Sequence, residues 1–274
     1  MTALSCLLLA GLTANVSAAK NRQQSNMQAS TSDVARREAI RSVPLEKIHS
    51  KYRRSVQRVL TDYSLYRRLP TQMVDCDPEL FTFVAKNPEV LVEMWQKMGI
   101  SRVTLERTGA NTFSLADGAG TTGKLVIVEQ KCDPDAQNRI VMYCEGAYEG
   151  KPFKRPVRAQ CVLTLRSGSL RETNNRDYVA CRLDTFVRIE RASLELFAKA
   201  MHPWVGKTAD ANFADTISFV SNLSRAAEQR PASIERLAKS LPRVTKQRQQ
   251  RLTRLAYDCS TKYEGTPRVA RKKP

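Results

Sequence analysis

Histidine is nearly missing from this 274-residue chain, which contains only His49 and His202. That scarcity leaves little room for imidazole acid–base catalysis or for a histidine-bearing metal site. No G-x-S-x-G nucleophile elbow and no H-E-x-x-H helix occurs, so neither the hydrolase nor the zinc-protease pattern is signalled. Past the N-terminus, no apolar run is long enough to span a bilayer. Internal repeats are not visible. No pair of residues asks to be a catalytic centre, so no catalytic residue, metal or cofactor is expected, and the reading leans away from an enzyme.

What the chain does have is basic charge, a formal net +18, and it is unevenly placed. Residues 36–70 hold 10 basic and 3 acidic side chains, and residues 230–274 hold 13 and 3. Residues 71–229 hold 20 of each. A neutral body thus carries two basic flanks, which points to attraction to a polyanion.

The first residues, "MTALSCLLLAGLTANVSAAK", give an apolar run followed by small residues. This predicts a signal peptide over 1–19, cleaved after Ala18 or Ala19, although no Lys or Arg precedes the run. A membrane anchor is the rival reading, for which about 12 strongly apolar residues are short. Export to the periplasm or cell envelope is the expectation. The anionic partner is then a membrane or cell-wall surface rather than nucleic acid.

Without Cys6, six cysteines remain: Cys76, Cys132, Cys144, Cys161, Cys181 and Cys259. An oxidising compartment permits up to three disulfides among them, and their spacings fit no zinc pattern. Small buried hydrophobes are an equally good reading of these thiols.

Residues 20–42 are polar and read as a flexible linker. A basic amphipathic helix is expected within 43–68, with Leu45, Ile48, Tyr52, Val56 and Val59 on one stripe and Lys47, Lys51, Arg54 and Arg58 on the opposite face. Such a helix either seeks an anionic surface or packs on the main domain with its charges solvated. Asp77-Pro78 and Asn87-Pro88 each place a capping residue before proline, predicting helices over 78–86 and 88–98 after a short strand in 69–76. Capping also accounts for Asp77 in the Asp75, Cys76, Asp77, Glu79 cluster without a metal.

Six alternating segments follow: 101–107, 112–117, 124–131, 139–148, 157–166 and 177–190. Their connections are rich in Gly, Pro, Asp and Asn, which argues for an antiparallel meander. Folding each hairpin about its loop centre sets Cys144 opposite Cys161, and Cys161 opposite Cys181. "DGAGTTGKL" (117–125) nearly matches a phosphate loop, but Leu125 replaces the Ser or Thr and the next residues alternate as a strand. A glycine-rich hairpin turn is the better reading.

Beyond the strands, Leu194, Phe197 and Met201, then Phe213, Ile217 and Val220, lie at helical spacing on either side of Pro203. A basic tail over 230–274 reads as further helix with a disordered end.

The order strand, two short helices, six antiparallel strands and a long helix over 69–229 resembles the helix-grip, START-like superfamily of lipid-transfer domains and polyketide cyclases. It also looks like uncharacterised exported bacterial proteins. The resemblance rests on "PELFTFVAKNPEVLVEMWQKMG", the strand run and "LDTFVRIERASLELFAKAMHPWVG". It implies an α+β fold in which a curved antiparallel sheet wraps the last helix around an apolar cavity. Cys144, Cys161, Leu163, Cys181, Leu183, Leu194, Phe197, Met201, Phe213, Ile217 and Val220 would line that cavity or fill it as a solid core.

Three functions follow. The first is an exported, non-catalytic binding protein for an apolar or lipid-like ligand, held at an anionic envelope. The second is an envelope interaction protein with a filled core, acting through its basic flanks. The cations concerned are Lys47, Lys51, Arg54, Arg58, Arg243, Lys246, Arg248, Arg251 and Arg254. A cyclase- or hydrolase-like enzyme on the same fold is the third.

Overall fold

The computed structural model describes residues 28–133, 137–151, 153, 155–190 and 205–266. The expected signal peptide, Leu194, Phe197, Met201 and the end of the tail lie outside the described residues. The protein is α+β, built on one eight-stranded antiparallel sheet.

The six strands of the meander are β3 (Thr104–Arg107), β4 (Thr112–Ala116), β5 (Thr121–Lys131), β6 (Asn138–Tyr148), β7 (Val157–Arg171) and β8 (Asp177–Ile189). They lie side by side in chain order. Two earlier strands, β1 (Leu65–Arg68) and β2 (Gln72–Val74), both pair with the outer side of β8. The chain therefore closes its sheet by setting its first strands against its last.

Cys144 pairs with Cys161 across β6 and β7, as the loop centres predict. The second expected pairing does not occur: Cys161 faces Val187, and Cys181 faces Ser167. Strand β7 runs on through Ser167–Arg171, and the reversal is made lower down, where Asn175 takes a φ of 59°. Asn tolerates that left-handed conformation better than most residues. Moving the hairpin centre to the Asn pair shifts the whole register.

Period-two alternation gives the sheet two apolar faces, and helices cover both. On one face lie α3 (Pro78–Lys86), α4 (Pro88–Lys97), α5 (Val205–Gln229), α6 (Pro231–Lys239) and α7 (Lys246–Lys262). On the other lie α1 (Asp33–Arg41) and α2 (Ser50–Thr61). Asp77 caps α3 as expected, accepting from the amides of Glu79 and Leu80 at 2.9 and 3.1 Å. Asn87 does not cap α4 through its side chain. Its amide instead donates to the Phe83 carbonyl at the end of α3.

Several flanking expectations need correction. The linker expectation gives way over 33–41, where Ser32 accepts from Ala35 N and starts α1. The single helix expected within 43–68 is a 3-10 turn (Leu45–Lys47), then α2, then β1. His49 starts α2 by accepting from Lys51 N through Nδ1. The stripe residues Ile48, Val56 and Val59 are fully buried against Val141, Tyr143, Val162 and Phe186 of the sheet. Thus α2 packs on the domain with its charges outward. The tail is docked as well: Leu241, Leu252, Leu255 and Cys259 join the main core.

Candidate anion-binding groove

The residues expected to line an apolar cavity occupy the main core. Cys144, Cys161, Leu163 and Cys181 from the sheet and Phe213, Ile217 and Val220 from α5 are buried in one packed cluster, with Leu183 partly buried against it. None of them lines any of the three clefts described below. The six described cysteines are all free thiols. Burial pushes the Cys161 and Cys181 thiols up to about 12, and burial followed by the neighbouring Cys161 raises Cys144 well above its usual range. These thiols stay protonated at neutral pH, the opposite of an activated nucleophile.

The glycine-rich segment forms the β4–β5 turn. Asp117 accepts from Ala119 N and Thr121 N, both at 2.8 Å. Gly120 adopts a φ of +107°, and a Cβ there would meet the Glu149 carbonyl oxygen at 2.3 Å. This explains the glycine by a close strand approach rather than by a phosphate. Asp77 Oδ2 is held by Lys262 at 2.7 Å and Tyr263 at 3.2 Å. Among the described residues, no three His, Cys, Asp or Glu side chains gather as metal ligands.

The basic flanks differ sharply in how their charges are used. Lys47, Lys51, Arg54 and Arg58 are all exposed on the outer side of the 3-10 turn and α2. In the tail, Arg243 pairs with Glu93 at 2.8 Å and Glu106 at 3.1 Å. Arg248 meets Asn87 at 2.8 Å and Glu89 at 3.4 Å, and Arg251 meets Glu79 at 2.8 Å. Lys246 and Arg254 remain exposed. Most of the tail's candidate cations therefore fasten α7 and the turn before it to α3, α4 and β3.

Beside α2 the sheet carries an open groove of about 710 Å³. Its floor can be built row by row from the register. Under α2 runs an apolar row, Val126, Tyr143, Val162 and Phe186. The next row outward on that face is Lys124, Glu145, Gln160 and Arg188. The outermost is Thr122, Ala147, Arg158 and Glu190, the last joined to Arg158 O through its amide. Arg58, in the last turn of α2, lines the groove from the helix side.

Hydrogen bonds hold the inner row in place. Tyr143 OH donates to Glu145 at 3.0 Å, and Gln160 Nε2 donates to the Tyr143 oxygen at 2.8 Å. Arg188 donates to Gln160 Oε1 at 3.4 Å and to Asp62 at 2.9 Å. Burial and then the Glu145 carboxylate push the Tyr143 hydroxyl well above its usual range, so it remains a donor. By contrast, Arg58, Lys124 and Arg158 have no carboxylate within ion-pair distance among the described residues, and Lys124 only approaches the Tyr52 ring at 5.9 Å.

The other two clefts differ. One is lined by Glu79, Arg171, Arg251 and Lys262, whose charges already pair with one another or with Asp77 and Asp177. The other, lined by Glu228, Tyr263 and Thr266, borders the contacts of the buried Arg176.

At the opposite end of the groove's sheet face, the protein shows how it holds an anion. Glu38 of α1 receives Arg68 at 2.8 Å, Arg166 at 3.1 Å and Arg182 at 2.8 Å. Burial works to raise its pKa, but the hydrogen bonds and charges of Arg68 and Arg182 outweigh it and hold the carboxyl at about 2. Arg68 and Arg166 also share the buried Asp184.

Alternation along β7 and β8 sets Arg158, Gln160 and Arg188 on the face opposite Cys161 and Cys181, but it does not unite them. Period two gives the face of each residue, and only the register gives its neighbours on other strands. Lys124 drew attention for a different reason, its place after a glycine-rich turn.

No family model and no curated protein matches the chain. Among solved structures, it is similar to the crystal structure of a conserved protein from Geobacillus kaustophilus. The two are 14% identical, and the match covers 56% of this chain and 97% of that one at a TM-score of 0.27.

Proposed function

We propose that the protein is an exported, non-catalytic envelope protein that binds an anionic phospholipid surface through α2 and the adjoining groove, on a START-like scaffold with a filled core. The observation that carries this reading is the contrast between the two flanks. The α2 cations face solvent, while Arg243, Arg248 and Arg251 of the tail are engaged by carboxylates.

The helix-grip assignment is supported by element order and neighbourhood. Two helices follow the first strands, six antiparallel strands follow them, and a long helix comes next. The first and last strands adjoin. An apolar ligand would need space among Cys161, Leu163, Phe213 and Ile217, and these side chains share one packed cluster. That favours the interaction reading over the apolar-ligand reading.

Magnitude sets the character of the binding. Each Lys or Arg near an anionic leaflet contributes about 1 kcal/mol, so Lys47, Lys51, Arg54 and Arg58 together give a weak, reversible attachment. It should fade when the screening length falls below about 10 Å, near 0.1 M salt and above. Co-sedimentation with phosphatidylglycerol vesicles at low salt tests it. The wild type should pellet and K51E/R54E should stay in solution. Equal pelleting of the two proteins would remove the reading.

A further inference from the structure

We infer that the groove beside α2 is a built site for a hydroxylated phosphate ester, with the phosphate taken by Arg58, Lys124 and Arg158 and the neighbouring hydroxyls by Glu145 and Glu190. This rests on the surface-binding reading and specifies the chemistry of its site.

Three observations carry it. First, those three cations line one groove and have no carboxylate partner among the described residues. Lys124 and Glu145 are direct cross-strand neighbours, yet they form no ion pair. Second, the same sheet face already displays a complete version of such a site. There Arg68, Arg166 and Arg182 hold the Glu38 carboxylate at 2.8 to 3.1 Å. The groove offers a comparable set of cations, Arg58, Lys124 and Arg158, that no carboxylate among the described residues bridges. Guanidinium groups match phosphate oxygens as well as they match carboxylates.

Third, the groove carries both signs of charge. Glu145 is exposed and is positioned by the Tyr143 hydroxyl at 3.0 Å, and Glu190 is exposed in the outer row. A bare anion gains from the cations and is opposed by both carboxylates. A ligand with hydroxyls beside its phosphate turns those carboxylates into acceptors. At about 710 Å³ the groove is also larger than a lone anion requires and matches the usual size of small-molecule sites. A glycerophosphate unit has the required chemistry, whether free or as a lipid headgroup.

Calorimetric titration of the full chain at low salt with sn-glycerol 3-phosphate, inorganic phosphate and glycerol tests the assignment. Glycerol 3-phosphate should bind saturably and about 10-fold or more tighter than phosphate, the range expected when a hydroxyl bonds a carboxylate. R158E should lose both ligands, and E145A should lower glycerol 3-phosphate to the level of phosphate. Both positions are exposed, and circular dichroism would confirm that the variants are folded. Equal affinity for the two phosphates, or affinity untouched by R158E, would overturn the assignment. Competition distinguishes the two sources. Release from phosphatidylglycerol vesicles by glycerol 3-phosphate marks a headgroup, and simultaneous binding marks a free ester. Because K51E/R54E lies outside the groove, vesicle binding that depends on those residues, without any response to glycerol 3-phosphate, would leave the surface reading standing and remove only this one.

Discussion

Arg176, in the β7–β8 turn, lies over the ring of Tyr263, its guanidinium carbon 4.9 Å from the ring centroid. This contact ties the end of α7 to the far corner of the sheet. Arg176 is only 1% exposed, and it also reaches Asp75 at 3.0 Å and Glu228 at 3.0 and 3.1 Å. Beside it, Tyr263 OH donates to Asp177 at 2.7 Å and Lys262 meets the same carboxylate at 2.7 Å.

Removing Arg176 would leave the carboxylates of Asp75 and Glu228 without their shared cation. Breaking a buried ion pair from one side costs about 3–5 kcal/mol. R176A is therefore expected to lower the urea unfolding free energy by that order. A loss under about 1 kcal/mol would place the corner's stability in packing rather than charge.

Acid should act on two groups at once. Burial works to raise the Asp177 pKa, but hydrogen bonds from Arg171, Lys262 and Tyr263 hold it down from 3.8 to about 2. Glu38 is held down from 4.5 to about 2. A depressed carboxylate contributes its stability in full above the unfolded value and loses it as pH falls through the folded value. Stability should thus fall from about pH 4.5 to 2, and D177N should flatten part of that slope. Parallel curves for wild type and D177N would refute the assignment to Asp177.

The tail should be indispensable to the fold. Leu241, Leu252 and Leu255 are 0–1% exposed, and each fully buried leucine contributes about 1.5–3 kcal/mol. Ending the chain after Gln229 is expected to give an insoluble or unfolded product, since whole domains are stable by only about 5–15 kcal/mol. The milder L252A should remain folded but lose about 2–5 kcal/mol in urea melts. A truncated chain with native circular dichroism would contradict the docking of α6 and α7.

Thiol accessibility gives a simple chemical check. Cys76, Cys144, Cys161, Cys181 and Cys259 are buried, and Cys132 is intermediate. Among the described cysteines, an aromatic disulfide reagent should react quickly with Cys132 and slowly with the other five, until denaturant releases all six. Loss of reactivity in denaturant without reductant would reveal a disulfide.

The sequence reached what local signals encode. Alternation located all six strands of the meander, and Asp77-Pro78 started α3 where a cap and a proline demand it. Strand β1 was hidden because "LYRR" is four residues long and polar, with too little alternation to register. The tail read as a basic helical flank, with its docking unseen, because its partners are remote. Arg243 meets Glu93 at a separation of 150 residues, and Arg251 meets Glu79 at 172. The groove was illegible for a related reason: its inner row draws Lys124, Glu145, Gln160 and Arg188 from four strands. Alternation assigns a residue to a face, but a single strand carries no information about which residues of that face become neighbours.

Placing the first strands against the last also sets the order of events in folding. Ile189 N donates to Ser64 Oγ across 125 residues of intervening chain, and α6 and α7 complete the core only after that. A growing chain would hold β1 and β2 without a partner until β8 had been made, so the sheet cannot close ahead of synthesis. Contacts of such long range slow folding and leave the unfolded chain long-lived. The native sheet therefore gains its last neighbours only once β8 has been synthesised, more than 100 residues after β1.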